Sequence, residues 1–273
     1  MSHPTLRLFD GYDHTSPELR GEVEELQRNL NLKGYKINVD GLFSPETEAS
    51  VKDFQTKQGL DDDGIVGPYT WAALLAASPP DFATTEITTY PRNFPSLLEE
   101  LQEAAQYKAM VDQAAVQFGL QMALIGGMVS RESRWGLALD PRGPSGTADR
   151  IPRGPNPSLR TGSLPPDGGF GRGLMQIDFD AFPFARTGNW RDPGENIVFG
   201  CKVLSEYRQF LQSKTHLEAR PLLQATVAAY NCGPGRVMTA LQKQMDVDFY
   251  TAGRNYSRDV LNRTGWFQLQ GWV

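Results

Sequence analysis

Apolar residues recur at helical spacing along most of this chain. Over 22–32 they fall at Val23, Leu26 and Leu30, and after Ser44-Pro45 they fall at Ala49, Val51 and Phe54, with Gly59 as a stop. From 96 to 118, Leu97, Leu98, Leu101, Ala104, Ala105, Tyr107, Met110, Val111 and Ala114 predict one or two amphipathic helices ended by Gly119. Further helices are predicted over about 121–136, after Asp192 with Ile197, Cys201, Leu204, Tyr207 and Leu211 facing a core, over 222–230, and over about 253–263. Only the glycine-rich run Asp167-Gly-Gly-Phe-Gly-Arg-Gly-Leu-Met-Gln-Ile-Asp178 suggests extended chain, as a small β-ribbon. The expected fold class is therefore mainly α (α+β).

The pattern breaks twice. Residues 76–95 have linker composition, with Ser78-Pro79-Pro80, Thr84-Thr85, Pro91 and Pro95. This predicts a first domain at 1–80, a linker at 81–95 and a second domain at 96–273. Residues 140–169 contain seven prolines, six glycines and four arginines without periodicity, the pattern of either a long functional loop or a solvated disordered one. Because that loop directly follows the 121–136 helix, Arg142, Arg150, Arg153 and Arg160 are expected to flank a cleft at the helix end.

The first domain carries an internal duplication. Asp40-Gly41-Leu42-Phe43-Ser44-Pro45 and Asp63-Gly64-Ile65-Val66-Gly67-Pro68 recur at an offset of 23 residues, each a tight turn leading into a helix with proline at its first position. A compact three-helix unit follows from this, in which Phe54, Tyr69 and Trp71 are expected to be core.

The chemistry points to the second domain. Glu132 shares a helical face with Ile125, Met128 and Val129, and with Trp135 three residues later, so its carboxyl is expected to be desolvated and its pKa raised toward the range of a general acid. Gly126-Gly127 on the same helix implies close packing against a neighbour. Asp167 and Asp178, eleven residues apart on the predicted ribbon, suit activation of water opposite such an acid.

Composition narrows the alternatives. The net charge of -5 divides into 7 Lys/Arg against 15 Asp/Glu over 1–90 and 20 against 17 over 91–273. That mild basic excess is far too small for nucleic-acid binding. Three scattered histidines and two cysteines, Cys201 and Cys232, form no ligand cluster, so no metal or other cofactor is expected. The glycine-rich run lacks a Walker lysine, which removes a phosphate-binding reading. No apolar run approaches the roughly 18 residues of a membrane span, and the N-terminus lacks a secretory-signal pattern. Synthesis in the cytoplasm, without membrane insertion, is the expectation.

Two resemblances sharpen the picture. Leu26-Gln27, Gly34-Tyr35, Asp40-Gly41-Leu42-Phe43, Thr47, Phe54-Gln55, Asp63-Gly64-Ile65-Val66-Gly67 and Thr70-Trp71, over about 22–75, resemble the peptidoglycan-binding module of cell-wall enzymes. Ser130-Arg131-Glu132-Ser133, Gly173-Leu174-Met175-Gln176-Ile177-Asp178, Ala229-Tyr230-Asn231-Cys232-Gly233 and Tyr256-Ser257, over about 100–265, resemble goose-type lysozyme and the related lytic transglycosylases. The second resemblance implies a muramidase cleaving the β-1,4 bond between N-acetylmuramic acid and N-acetylglucosamine. It makes Glu132 the general acid, Asp167 and Asp178 the residues that position or deprotonate the attacking water, and Ser133, Gln176, Tyr230, Asn231 and Tyr256 sugar-site residues. Water attack implies inversion, with carboxylates roughly 6.5–9.5 Å apart or more. Arg172 interrupts the family's Phe-Gly-Leu run and puts the register of Asp167 in question. The rivals are a lytic transglycosylase and a non-catalytic wall-binding protein. The implied partner is bacterial peptidoglycan, met by a monomer made in the host bacterial cytoplasm and released as a phage endolysin through a holin or delivered as an effector, with a bacterial autolysin trimmed of its signal as the other setting.

Overall fold

The computed structural model describes residues 3–75, 85–151, 153, 164–165 and 167–272. The chain divides into two compact units, Met1–Ser78 and Pro79–Val273, each with its own hydrophobic core.

In the first unit, α1 (Arg20–Leu32), α2 (Pro45–Gln58) and α3 (Pro68–Leu75) enclose Leu6, Val23, Leu26, Leu30, Phe43, Val51, Phe54, Val66, Trp71 and Leu74. Ser44 caps α2 by accepting the Thr47 amide, Pro45 occupies the first turn, and Gly59 ends the helix in the left-handed conformation with φ 68°. The duplication has a shared polar lock. Gln27 accepts the amides of Asp40 and Gly41 at 2.9 Å and donates to Asp40 Oδ1 and the Leu42 carbonyl. In the second copy Gln55 accepts the Gly64 amide at 2.9 Å and donates to Asp63 Oδ1, the Ile65 carbonyl and Thr70 Oγ1. Each buried glutamine thus satisfies a turn that would otherwise carry unpaired backbone groups into the core. Phe54 and Trp71 are core as expected, whereas Tyr69 is 82% exposed, because the first turn of α3 points it away from the helix face that packs.

In the second unit, the 96–118 pattern resolves into α4 (Pro95–Ala104) and α5 (Lys108–Phe118), joined by one tight turn and stopped by left-handed Gly119. Next comes α6 (Met122–Ser133), in which every residue from Met122 to Ser130 is buried. A helix apolar on all sides is a central helix. It packs on α4, on α5 and above all on α11 (Tyr256–Leu269), and the same core is completed by α8 (Pro193–Lys214), capped by Asp192, which accepts the Glu195 amide at 2.8 Å, then α9 (Ala219–Cys232) and α10 (Pro234–Gln242), with the single-turn α7 (Phe184–Thr187) ahead of them. The last helix starts later and runs further than its periodicity suggested, so Trp266 and Phe267 are helical core residues and not a tail. Residues preceding α4 lie along α11: Asn262 accepts the Thr89 amide at 2.7 Å, and the Trp266 indole donates to the Pro91 carbonyl at 3.0 Å.

The expected ribbon is a three-stranded antiparallel sheet of β1 (Thr147–Ala148), β2 (Gly171–Arg172) and β3 (Ile177–Asp178), in that order, with Gly171 opposite Asp178. Its turn is bolted to α8 by buried Asn196, which accepts the Met175 amide at 2.8 Å and donates to the Arg172 and Trp190 carbonyls. Gly173 in this turn has φ 67° and sits where a Cβ would lie 2.4 Å from Asn196 Nδ2, so only glycine fits.

Candidate active site

Glu132 lies in the last turn of α6, half-buried, where the helix leaves the core. The helix ends at Ser133, and Arg134 and Trp135 follow with φ 50° and 59°. Trp135 is therefore buried by a left-handed reversal, among Tyr107, Phe267 and Trp272, and not by continuing the helical face. The apolar surroundings still act on Glu132: loss of water pushes its carboxyl from 4.5 up to about 7, while a hydrogen bond from Tyr256 and the charge of Arg131 pull the other way.

The Tyr256 hydroxyl donates to Glu132 Oε1, bringing the start of α11 to the end of α6. This approach depends on Gly126 and Gly127, where an added Cβ would lie 3.1 Å from the Phe267 ring and 2.7 Å from the Val260 carbonyl. Tyr230, at the end of α9, joins from another side. Its hydroxyl donates to the Met175 carbonyl at 2.8 Å, tying α9 to the hairpin turn, and burial together with the nearby Glu132 raises its pKa well above 10. Arg131 lies over the Tyr256 ring at 5.8 Å and pairs with Asp259 at 3.4 Å. Among the described residues, Glu132 is thus bordered by two tyrosines and one arginine.

The aspartates have different settings. Asp178, half-buried on β3, accepts the amides of Asp180 and Ala181 on Oδ1 and Arg153 Nη1 at 2.5 Å on Oδ2. Its charge is among the causes that raise the Tyr207 pKa, after burial and Glu206. Asp167 is exposed ahead of β2 and pairs with Arg172 at 2.7 Å and Arg191 at 3.1 Å, the first of which lowers its pKa most. Arg172 itself is fully buried, its guanidinium 4.8 Å from the Phe179 ring and 4.9 Å from the Trp190 ring. The residue that breaks the family run is thus the anchor of Asp167.

Other expected site residues are placed as follows. Gln176, with φ 50°, folds back to donate to the Gly173 carbonyl at 2.8 Å. Asn231 is exposed and accepts the Ala252 amide at 2.8 Å. Ser133 is buried, and its hydroxyl donates to the Val129 carbonyl and accepts the Gly136 amide, so it braces the helix end from beneath. Of the loop arginines, Arg153 reaches Asp178 and also pairs with Asp149, Arg150 pairs with Asp140 at 2.8 Å, and Arg142 faces Glu99 at 4.0 Å on α4. Arg160 lies outside the described residues. Sequence reasoning missed Arg131 and Asp259, because a role that depends on one charged side chain bracing another leaves no periodic signal.

Comparisons with known proteins concern both units. Residues 109–252 match the Transglycosylase SLT domain family, and residues 20–74 match a peptidoglycan binding domain family. Lysozyme g of Takifugu rubripes is 29% identical over 167 residues, covering 59% of this chain and 74% of its own length. An uncharacterised protein of Kitasatospora aureofaciens is 40% identical over 90 residues, covering 30% of this chain and 71% of that protein. The crystal structure of Burkholderia AP3 phage endolysin aligns over 97% of this chain and 100% of its own at 17% identity, with a TM-score of 0.23, too low to bear on the site.

Proposed function

The chain belongs to the transglycosylase SLT domain family, and on that premise we propose that it cleaves the glycan strands of bacterial peptidoglycan with Glu132 as general acid. The observation that carries this reading is the Glu132 carboxyl, pushed up to about 7 at the end of a central helix. Such a group is about half protonated at neutral pH, where an ordinary glutamate is almost wholly ionised. It protonates the glycosidic oxygen of the β-1,4 bond between N-acetylmuramic acid and N-acetylglucosamine. The hydrogen bond from Tyr256 and the charge of Arg131 favour the ionised form, so both strengthen as the proton leaves.

Water then attacks the anomeric carbon from the opposite face, with inversion. Asp178 and Asp167 orient it. The hydrogen bond from Arg172 holds the Asp167 carboxyl low and weakens it as a base, and Arg153 occupies one oxygen of Asp178, so orientation is their larger part. Tyr230, Asn231, Gln176 and Tyr256 border the sugar site, and Ser133 supports it from below. The 20–74 module holds the enzyme on its polymer and raises the local concentration of cleavable bonds. A wall anchor joined to a wall-cleaving domain suits a phage endolysin or a delivered effector.

The arginine pairs on both aspartates favour a second reading, a lytic transglycosylase, in which the 6-hydroxyl of the muramic acid attacks and no water is used. Mass spectrometry of released muropeptides separates the two, since products of hydrolysis carry one more water than 1,6-anhydro products. A population made up wholly of anhydro species assigns the enzyme to the second class. In either class Glu132→Gln is expected to lower wall lysis by about 100- to 10,000-fold. Lysis within about tenfold of wild type would remove Glu132 from the acid role.

A further inference from the structure

The helix that delivers Tyr256 is capped from outside itself. Its N-cap residue, Asn255, makes no side-chain capping bond. The first-turn amides turn instead to Asp248, eight residues before the helix and wholly buried. Asp248 Oδ1 accepts the Ser257 amide at 2.8 Å, and Oδ2 accepts the Ser257 hydroxyl at 2.8 Å and the Arg258 amide at 3.3 Å. Thr251 Oγ1 lies 3.2 Å from Asp248 Oδ1 and accepts the Tyr256 amide at 3.3 Å. The Arg258 guanidinium, 3.7 Å away, and the positive end of the helix dipole balance the buried charge.

The first three residues of α11 therefore reach Asp248 directly or through Thr251, and the first of them is Tyr256. A tyrosine has two side-chain torsions, so the place of its hydroxyl follows closely from its backbone. We propose that Asp248 is a positioning residue for the acid at Glu132: by binding the first turn of α11 it fixes the hydroxyl that Tyr256 donates to that carboxyl. A displacement of about 1 Å at a reacting group costs on the order of 100-fold in rate. The proposal rests on the reading of Glu132 as general acid. The groups facing Glu132 among the described residues are Arg131 on its own helix, Tyr256 on α11 and Tyr230 on α9, with Asp259 behind Arg131.

The test uses the full chain with ¹³C-labelled glutamate carboxyls, the Glu132 resonance being assigned by its loss in Glu132→Gln. Tyr256→Phe removes a bond that favours the ionised form, so the Glu132 titration moves to higher pH. Asp248→Asn is expected to move it the same way, and the double variant no further than Tyr256→Phe alone. On soluble glycan oligomers Asp248→Asn is expected to lower kcat about tenfold or more with KM held within about twofold, and to carry the alkaline limb of the kcat profile upward. Ser257→Ala, which deletes one hydroxyl contact and leaves the amide cap, gives the same shift in smaller measure and serves if Asp248→Asn does not fold. A folded Asp248→Asn, or failing that Ser257→Ala, with the wild-type Glu132 titration overturns the proposal, as does a shift that adds in full to that of Tyr256→Phe. If Glu132→Gln keeps its lysis, the acid assignment fails, while the carboxyl titration still reports whether Asp248 acts through Tyr256.

Discussion

Glu132 titrates where few carboxyls do, because the end of α6 withholds water from it and the two opposing influences, Tyr256 and Arg131, only partly compensate. Activity that needs the protonated form falls as pH rises through about 7. The same shift acts on stability with a definite sign. Below about 4.5 the carboxyl is protonated in both folded and unfolded chains and contributes no difference. As pH rises from there to about 7 the unfolded chain releases the proton first, so stability declines, and above about 7 the whole penalty is present. Glu132→Gln is therefore expected to be more stable than wild type at pH 8, by on the order of 2–3 kcal/mol, and to lose that advantage near pH 4. Urea midpoints at the two pH values check this, and an equal gap at both would show that the gain has another origin. The pairing of Asp167 and Asp178 also belongs to single residues: Arg172 and Arg153 supply it, and neither arginine's partner could be read from spacing.

Between elements, the decisive contact is α6 against α11. Gly127 faces the Val260 carbonyl and the Thr264 amide, where an added Cβ would fall 2.7–2.8 Å from backbone atoms that cannot step aside. Gly127→Ala must spread the two helices, and is expected to destabilise the protein by about 1–3 kcal/mol and to lower kcat by loosening Tyr256 from Glu132. Gly126→Ala meets only the Phe267 ring at 3.1 Å, a side chain that can shift, and is expected to do less on both counts. Thermal unfolding and turnover of soluble oligomers measure the pair; equal tolerance of the two alanines would show that the helices have slack. The hairpin works by the same logic, since Asn196 and Tyr230 bind its turn from α8 and α9 and fix β3, with Asp178, relative to both helices.

At the level of the whole molecule, two cores within one chain separate holding the wall from cutting it. A chain reduced to residues 79–273 keeps the larger core complete and is expected to turn over soluble oligomers at the full-length rate, while losing co-sedimentation with insoluble peptidoglycan and with it most activity on whole walls. Undiminished co-sedimentation would move wall binding out of the 20–74 module. Much of this plan was legible in the sequence, because it is written in local physics. Helical periodicity, the proline and glycine at helix ends, the repeated Asp-Gly turns and a glutamate among apolar residues each depend on neighbours a few positions away. The desolvated setting of Glu132 was legible for the same reason. Tertiary structure decided the partners: Tyr256 meets Glu132 from 124 positions away, Arg153 meets Asp178 from 25, and Asp248 caps a helix whose adjacent cap residue is idle. Those contacts follow from how closely Gly126 and Gly127 let two helices approach and from which buried polar groups were left to satisfy, and packing settles both only when the whole chain is folded.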